Sequence, residues 1–321
     1  MKIYGAGLAG LIAGNMLRRH QPTIYERQTE LPDNHGALLR FRTDKASRET
    51  SIPFRKVSVQ KAVADGLSVT REASIAQQNS YSQKVTGKVM GRSINDLRDC
   101  ERYIAPPDFI PLMSRDLNIK VGRSLDMTTI AMNHMQGIPT ISTVPMPALM
   151  KIVDWPDQPK FEHNQIWSLT ADIVAPEVDV YQTVYQTERG AALYRVSITG
   201  NKLIAEFINE DVSAPAYADK HPALLGIILE KCFGIRAKLA NIKSKHQYYG
   251  KLLPIDEDAR RSFIMAMTQE FGIYSLGRFA TWRQLLIDDI CDDVRVIEQF
   301  INDGNYFAAK MHSIRNKVTK H

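Results

Sequence analysis

Three closely spaced glycines near the start of the chain have the pattern of a phosphate-binding turn. Gly5, Gly7 and Gly10 follow a short apolar segment and begin an apolar run of helical character. The first glycine permits a tight turn, the second lets the backbone approach a pyrophosphate, and the third lets a helix pack closely on a strand. Because a helix N-terminus presents unpaired N–H groups, Leu8 and Ala9 in its first turn are also expected to contact the phosphates.

An acidic residue ends the second predicted strand. Glu26 follows the apolar residues 22–25 and lies sixteen positions after Gly10. A carboxylate at this position accepts hydrogen bonds from an adenosine ribose, and it repels a 2′-phosphate. The glycine turn is therefore expected to bind FAD or NAD rather than NADP.

A second glycine segment lies near the C-terminus, in residues 276–282. Gly277 allows close backbone approach, and a helix predicted to begin near Ala280 would direct its N–H groups at a pyrophosphate or at ribityl oxygens. FAD is long enough for its ADP half to lie at the first turn while the rest reaches this second segment. Since the sequence has one dinucleotide fingerprint, no separate NAD(P)H domain is expected, and the predicted cofactor is FAD.

The middle of the chain differs from its two ends in its pattern of apolar and polar residues. Four runs of alternating, β-branched and aromatic residues predict antiparallel strands with one covered face, at 165–173, 178–186, 191–199 and 202–208. The predicted fold is therefore α/β, with a Rossmann-like FAD-binding domain and an inserted antiparallel-sheet substrate domain. The chain enters, leaves and re-enters the first domain. The FAD-binding domain is predicted at 1–45, 120–150 and 262–321, and the substrate domain at 46–119 and 151–261.

Shorter patterns predict the elements between these segments. Residues 139–147 are expected to form a strand ended by prolines, followed by a short helix at 148–153. A further helix is predicted at 222–233 and a charged loop at 256–261. Apolar residues at helical spacing predict a long amphipathic helix from about residue 280 to about residue 300.

The composition is that of an ordinary globular protein, with 44% hydrophobic and 24% charged residues among 321. No apolar run approaches the roughly 20 residues of a membrane helix, so a cytoplasmic protein without membrane contact is expected. Cys100, Cys232 and Cys291 are far apart, which predicts neither a disulfide framework nor a metal site. The acidic residues of 288–293 are expected to form a solvated helix face. A net charge of +6 is compatible with contact to DNA.

The two glycine segments and the strand end at residues 142–145 resemble, in this order, the two-domain flavoproteins that include amine oxidases and UDP-galactopyranose mutases. The resemblance covers nearly the whole chain. It implies that FAD is held by Gly5, Gly7, Gly10, Glu26 and Gly277. It also implies that Arg27 lies near the adenosine and that residues 35–42, including Arg40, lie near the flavin. The chain departs from amine oxidases at residues 35–37, where a double glycine often precedes a small residue. It departs from the mutases in lacking a clear set of paired arginines and tyrosines for a diphosphate.

Two segments are similar to bacteriophage flavin oxidases that act in thymine hypermodification, residues 248–255 and 276–282. This resemblance implies oxidation of a glycine that is amino-linked to the methyl carbon of thymine. The product would be an imine that hydrolyses to aminomethyluracil and glyoxylate. The implied partner is a small-molecule amine or a modified base in DNA.

For such a reaction the protein must place the donor carbon near the flavin and keep the amine neutral. The predicted catalytic residues are Lys251, Tyr249 and Arg42, and Arg278 and Trp282 are predicted to contact the cofactor, with His35 and Tyr248 as further candidates. Three alternatives stay open for these residues. Lys251 either bridges to the flavin through water or is a solvated lysine. The tyrosine pair either forms an aromatic cage or packs in a strand. Arg278 and Trp282 either contact the flavin or are a surface cation and a core aromatic.

Two other functions remain compatible with the same sequence. One is a mutase-like isomerase that acts on a nucleotide sugar, and the other is a flavin- or NAD-binding module without catalysis. The sequence has no nucleophile elbow, no P-loop and no zinc-protease motif, so hydrolase, NTPase and zincin functions lack support.

Overall fold

The computed structural model describes residues 1–32, 40–66, 68–175, 178–213 and 220–318, with side chains as far as residue 304. His35 and the adjacent residues 36–39, for which a position near the flavin was expected, lie outside the described residues.

The strands of the described residues belong to two sheets and are numbered in chain order. They are β1 (Lys2–Tyr4), β2 (Thr23–Tyr25), β3 (Arg40–Phe41), β4 (Arg55–Asp65), β5 (Ser68–Thr70), β6 (Cys100–Ile104), β7 (Asn118–Lys120), β8 (Thr140–Ser142), β9 (His163–Val174), β10 (Val180–Gln186), β11 (Leu193–Gly200), β12 (Lys202–Ile208), β13 (Lys238–Leu252) and β14 (Ile273–Ser275).

The α-helices of the described residues are numbered in the same way. They are α1 (Leu8–Met16), α2 (Lys45–Thr50), α3 (Ile75–Thr86), α4 (Phe109–Ser114), α5 (Met127–Met135), α6 (Met146–Ile152), α7 (His221–Phe233), α8 (Glu257–Phe271) and α9 (Ile287–Val318).

The first sheet is parallel and has the strand order β14-β8-β1-β2-β7. Its centre is fully buried, because Ile3 lies opposite Ile24 on one side and Ile141 on the other. Helices cover both faces, as a parallel sheet requires. One core contains α1 together with apolar residues of α9 such as Val294, and another contains α6 and α8 with Phe263 at its centre. The first glycine turn lies at the end of the central strand β1.

The second sheet has the order β13-β9-β12-β11-β10-β4-β6-β3. Its strand pairs are antiparallel, except that β4 and β10 run parallel. One face packs on α7, where Leu169 and Leu203 meet Leu225 and Leu229. The four strands expected in residues 165–208 are confirmed as β9 to β12. The sheet is therefore mixed, and its two longest additional strands, β4 and β13, were not predicted.

Two predicted elements are wrong. Residues 256–261 are not a charged loop, because they begin α8: Asp256 caps this helix by accepting a hydrogen bond from the Ala259 N–H at 2.8 Å, and acidic residues in a first turn complement the helix dipole. The long C-terminal helix begins at Ile287 rather than near Ala280, since residues 278–283 form turns. The helices expected at 148–153 and 222–233 are confirmed as α6 and α7.

None of the helices in the described part of the chain combines the length and the apolar character that a membrane span needs. Among the described residues, no group of three or more His, Cys, Asp or Glu side chains is arranged to hold a metal ion. The proposed division into domains stays a prediction.

Candidate functional site

The first glycine turn is tightly packed, and two of its glycines have no room for a side chain. Gly5 has a φ of +103°, and a Cβ at this position would lie 2.0 Å from Thr143 Oγ1. A Cβ at Gly10 would lie 1.9 Å from the carbonyl oxygen of Gly5. Both positions therefore require glycine, one for its conformation and for space, the other for the close approach of α1 to β1.

We expect Gly10→Val to prevent folding or to destabilise the protein by about 3 kcal/mol or more, because the new side chain would overlap backbone that cannot move without opening the turn. Soluble yield and thermal unfolding of the variant measure this effect. Wild-type stability in Gly10→Val would contradict the close helix–strand approach.

Gly7 differs from the other two glycines because it faces outward. It is exposed, it caps the N-terminus of α1, and a Cβ built on it has no atom of another described segment within 4 Å. Leu8 and Ala9 follow in the first turn of the helix, where backbone N–H groups lack partners within the helix. The open space at Gly7 thus fits the pyrophosphate of a dinucleotide, which would approach bare backbone and a helix N-terminus.

Glu26 is anchored beside this turn. Its Oε2 accepts a hydrogen bond from the Ala6 N–H at 2.7 Å, and its Oε1 accepts one from the Gln28 N–H at 2.9 Å. The carboxylate is partly exposed, and the neighbouring Arg27 is fully on the surface. Glu26 therefore lies next to the glycine turn, as the fingerprint predicted, while no hydrogen bond or ion pair within the described residues holds the Arg27 side chain near it.

The second glycine segment lies directly against the first. Gly277 has a φ of +90°, and a Cβ there would lie 2.9 Å from the Cβ of Ala9 in the first turn of α1. The sequence could suggest two separate cofactor segments, and the tertiary structure brings them into contact. A single long ligand can therefore reach both.

Arg278 extends from this contact toward the second sheet. Its Nη2 donates a hydrogen bond to the carbonyl oxygen of Gly250 at 2.7 Å. Its Nε is buried and has no hydrogen-bond partner in the described residues. Burial lowers the pKa of Arg278 from its usual value. Arg278 is thus neither a surface cation nor a saturated structural one.

Lys251 lies next to Arg278 and is not a solvated lysine. Its Nζ is 5.4 Å from the ring centroid of Tyr194, and the described residues provide it with no ion pair. Burial, followed by repulsion from Arg195, lowers the pKa of Lys251 to about 7. The side-chain amine of Lys251 can therefore gain or lose a proton near neutral pH.

The carboxylate nearest to this lysine is already engaged. Glu206 accepts hydrogen bonds from both the Arg195 guanidinium and the Tyr194 hydroxyl, the latter at 2.9 Å. Although burial opposes it, the charge of Arg195 keeps the pKa of Glu206 below its usual value. Burial likewise disfavours the charge on Arg195, yet Glu206 raises the pKa of Arg195 well above its usual value. Sequence reasoning missed this triad because its members show no motif spacing.

Aromatic side chains pack beside the two basic residues. The ring centroids of Tyr249 and Trp282 are 5.4 Å apart, and Tyr249 also contacts Tyr248 and His163. Trp282 is buried and donates from Nε1 to the Leu253 carbonyl at 3.0 Å, so it is a core aromatic with a structural hydrogen bond. Tyr248 is 54% exposed. Burial raises the pKa of Tyr249.

The two arginines predicted from the segment 35–42 differ in placement. The Arg40 guanidinium is buried and donates to Thr183 and Thr199 of the second sheet, at 2.7 Å in each case; burial, then Arg195, lowers its pKa to about 10. The Arg42 side chain is exposed, and its backbone N–H is bound by Asp288 at 2.9 Å. Asp288 is itself buried, so the prediction that residues 288–293 form a solvated face is wrong at this position.

No protein-family model matches the sequence, and no curated protein matches it. Solved structures do. A reduced UDP-galactopyranose mutase matches with a TM-score of 0.62 at 14% identity, over 94% of this chain and 95% of that one. A protein described as a protoporphyrinogen oxidase, from Exiguobacterium sp. 255-15, matches with a TM-score of 0.61 at 9% identity, over 94% and 98%. A flavin-dependent brominase, as a triple mutant, matches with a TM-score of 0.53 at 11% identity, over 94% and 80%.

The chain has their fold. The α/β class with a Rossmann-like domain and a second sheet, predicted from the sequence, is thereby confirmed.

Proposed function

We propose that the protein is an FAD-dependent oxidoreductase. The observation that carries this proposal is the contact of Gly277 with Ala9 beside the open face of Gly7, which provides one continuous backbone cradle for an extended dinucleotide. The likeness in fold to a flavin-dependent brominase and to a protein described as an oxidase supports the same cofactor.

The residues that would hold FAD are those of the two glycine segments and the acid beside them. They are Gly5, Gly7, Leu8, Ala9, Gly10, Glu26 and Gly277, with Arg27, Arg40, Arg278 and Trp282 as further predicted contacts. When bound, FAD supplies a hydride acceptor. The chain itself must then bind the substrate, orient its donor carbon and provide an acceptor for the proton that the substrate releases.

The reaction proposed is oxidation of an amine at its C–N bond. The substrate loses a hydride and a proton to become an imine, and water hydrolyses the imine to an amine and a carbonyl compound. Lys251 would hold at Nζ a water molecule that takes this proton. Tyr249 would orient the substrate, and Arg42 remains a predicted catalytic residue whose side chain is exposed.

The most specific substrate we propose is an amino-acid-modified thymine in phage DNA. The segments 248–255 and 276–282, which carry the likeness to thymine-modifying oxidases, come together at Arg278 and Gly250. The net charge of +6 is compatible with a DNA substrate.

A mutase-like isomerase acting on a nucleotide sugar is the second candidate function. The TM-score of 0.62 to the reduced UDP-galactopyranose mutase favours it. The two functions differ in electron balance, because an isomerase needs reduced flavin and consumes no electrons.

Purified protein should absorb near about 375 and 450 nm, as oxidised flavin does. With an amine, with dioxygen as the oxidant that takes the two electrons and without an external reductant, it should release hydrogen peroxide. The test is a panel of free amines and of DNA containing modified thymine, read by nucleoside mass spectrometry. Colourless protein that binds NAD would refute the proposal. Turnover of a nucleotide sugar that depends on prior flavin reduction would establish the alternative.

A further inference from the structure

An excess of positive charge lies beside the proposed cofactor site. The cation cluster consists of Arg92, Arg195, Lys251 and Arg278, and the positive charges of the three arginines all lower the pKa of Lys251. The carboxylate of Glu206 has the opposite effect and raises this pKa. Arg195 and Tyr194 already bind that carboxylate, so Glu206 neutralises one cation, and no other carboxylate of the described residues forms an ion pair with Lys251 or Arg278.

Two members of the cation cluster have unused hydrogen-bonding capacity. Arg278 has a buried Nε without a partner in the described residues. For Lys251, the hydrogen bonds and ion pairs of the described residues include none from Nζ, whose close neighbour is the Tyr194 ring at 5.4 Å. A buried donor without an acceptor, or a desolvated cation without a counter-charge, costs free energy in the folded protein.

Two other largely buried cations of the described residues are engaged in hydrogen bonds. Lys84 Nζ donates to the carbonyls of Glu188 and Leu193 at 2.8 and 2.7 Å, and the Arg40 guanidinium donates to Thr183 and Thr199. Arg278 and Lys251 differ from these two cations.

That place adjoins the glycine turns. Arg278 follows Gly277, which packs against Ala9, and its Nη2 reaches the carbonyl of Gly250, the residue before Lys251. Tyr249 and Trp282 provide an aromatic wall beside it.

We propose that Arg278 and Lys251 bind an oxyanion of the substrate, a carboxylate or a phosphate. A planar guanidinium and an ammonium that converge on one ligand suit two oxygens of such a group. The anion fixes the substrate at one end, so that its donor carbon is held in place at the other. The assignment of this oxyanion to an amine substrate rests on the proposed function.

The test compares matched ligands by isothermal titration calorimetry on the full-length protein with the cofactor it purifies with. N-benzylglycine carries a carboxylate and an amine, N-benzylglycinamide has an uncharged amide in place of that carboxylate, and uridine 5′-diphosphate carries phosphates. We expect a probe that carries an oxyanion to bind at least about tenfold more tightly than the amide. Preference for N-benzylglycine assigns the site to a carboxylate, and tight binding of the diphosphate alone assigns it to a phosphate.

Arg278→Gln and Lys251→Met should each reduce this preference to near unity, and Arg115→Gln, which removes an exposed charge, should preserve it. Lys251→Met keeps the test valid if Arg278→Gln does not fold. An equal affinity of wild type for all three probes, or a preference that both variants retain, would overturn the proposal. So would loss of FAD from Arg278→Gln with the preference intact, because Arg278 would then serve the cofactor. Flavin content and amine turnover of the same samples report separately on the proposed function.

Discussion

Gly7→Val should fold but fail to retain FAD. A Cβ at this position meets no atom of another described segment within 4 Å, so the described part of the protein has room for it, whereas the pyrophosphate would lose its approach to the backbone. We expect at least an about 100-fold weaker affinity for FAD, equivalent to about 2.7 kcal/mol. The helix loses a glycine cap, which costs about 1 kcal/mol of stability at most. Flavin absorbance per mole of purified protein and FAD titration of the apoprotein measure the effect.

Gly190→Val is the matched control. Gly190 also has no atom of another described segment within 4 Å of an added Cβ and no positive φ, but it lies in the turn before β11. This variant should keep full flavin content. Equal loading of Gly7→Val and wild type would exclude the glycine turn as the phosphate site.

Lys251→Met should stabilise the protein at pH 6, and the gain should disappear toward pH 10. The unfolded chain protonates this lysine with a pKa near 10.5, while the folded protein lowers its pKa to about 7. Below pH 7 both states are protonated, and burial of the charged lysine destabilises the folded protein by the full amount. Between pH 7 and 10.5 the folded state has released the proton while the unfolded state keeps it, and the free-energy cost of this release falls as the pH rises. Part of the Lys251 side chain reaches solvent. We therefore expect Lys251→Met to increase the free energy of unfolding at pH 6 by about 2 kcal/mol, which is less than the full free-energy equivalent of the pKa difference. Urea unfolding between pH 6 and pH 10, with chloride as the only added anion, measures it.

Lys84→Met provides the contrast. Burial lowers the pKa of Lys84 to about 8, but its ammonium group satisfies backbone carbonyls, so its removal should destabilise the protein at neutral pH. A loss of stability in Lys251→Met at pH 6 would mean that the charge of Lys251 is compensated inside the folded protein. It would also remove the physical basis of the anion site.

The elements predicted correctly are those whose cause is local. Gly5 needs a positive φ and Gly10 a close approach to the Gly5 carbonyl within one turn. The strands β9 to β12 are rich in β-branched and aromatic residues, which favour the strand conformation wherever they pack. The strand β13 was missed because it is an edge strand with largely exposed, lysine-rich sequence, which has little alternation. The start of α9 was misplaced because apolar residues around Ala280 are buried by tertiary packing in a turn rather than in a helix.

By itself, the sequence predicted the glycine turn, the carboxylate beside it, the two sheets and hence the α/β fold with a Rossmann-like domain. Each of these depends on residues close together in the chain, where φ preferences, helix ends and hydrophobic periodicity act. Only the tertiary structure decided that Gly277 lies on Ala9, and that the charges of Arg278, Arg195 and Glu206 act on Lys251. These contacts join distant segments through sheet register and packing, and desolvation then lowers the pKa values of Lys251 and Arg278.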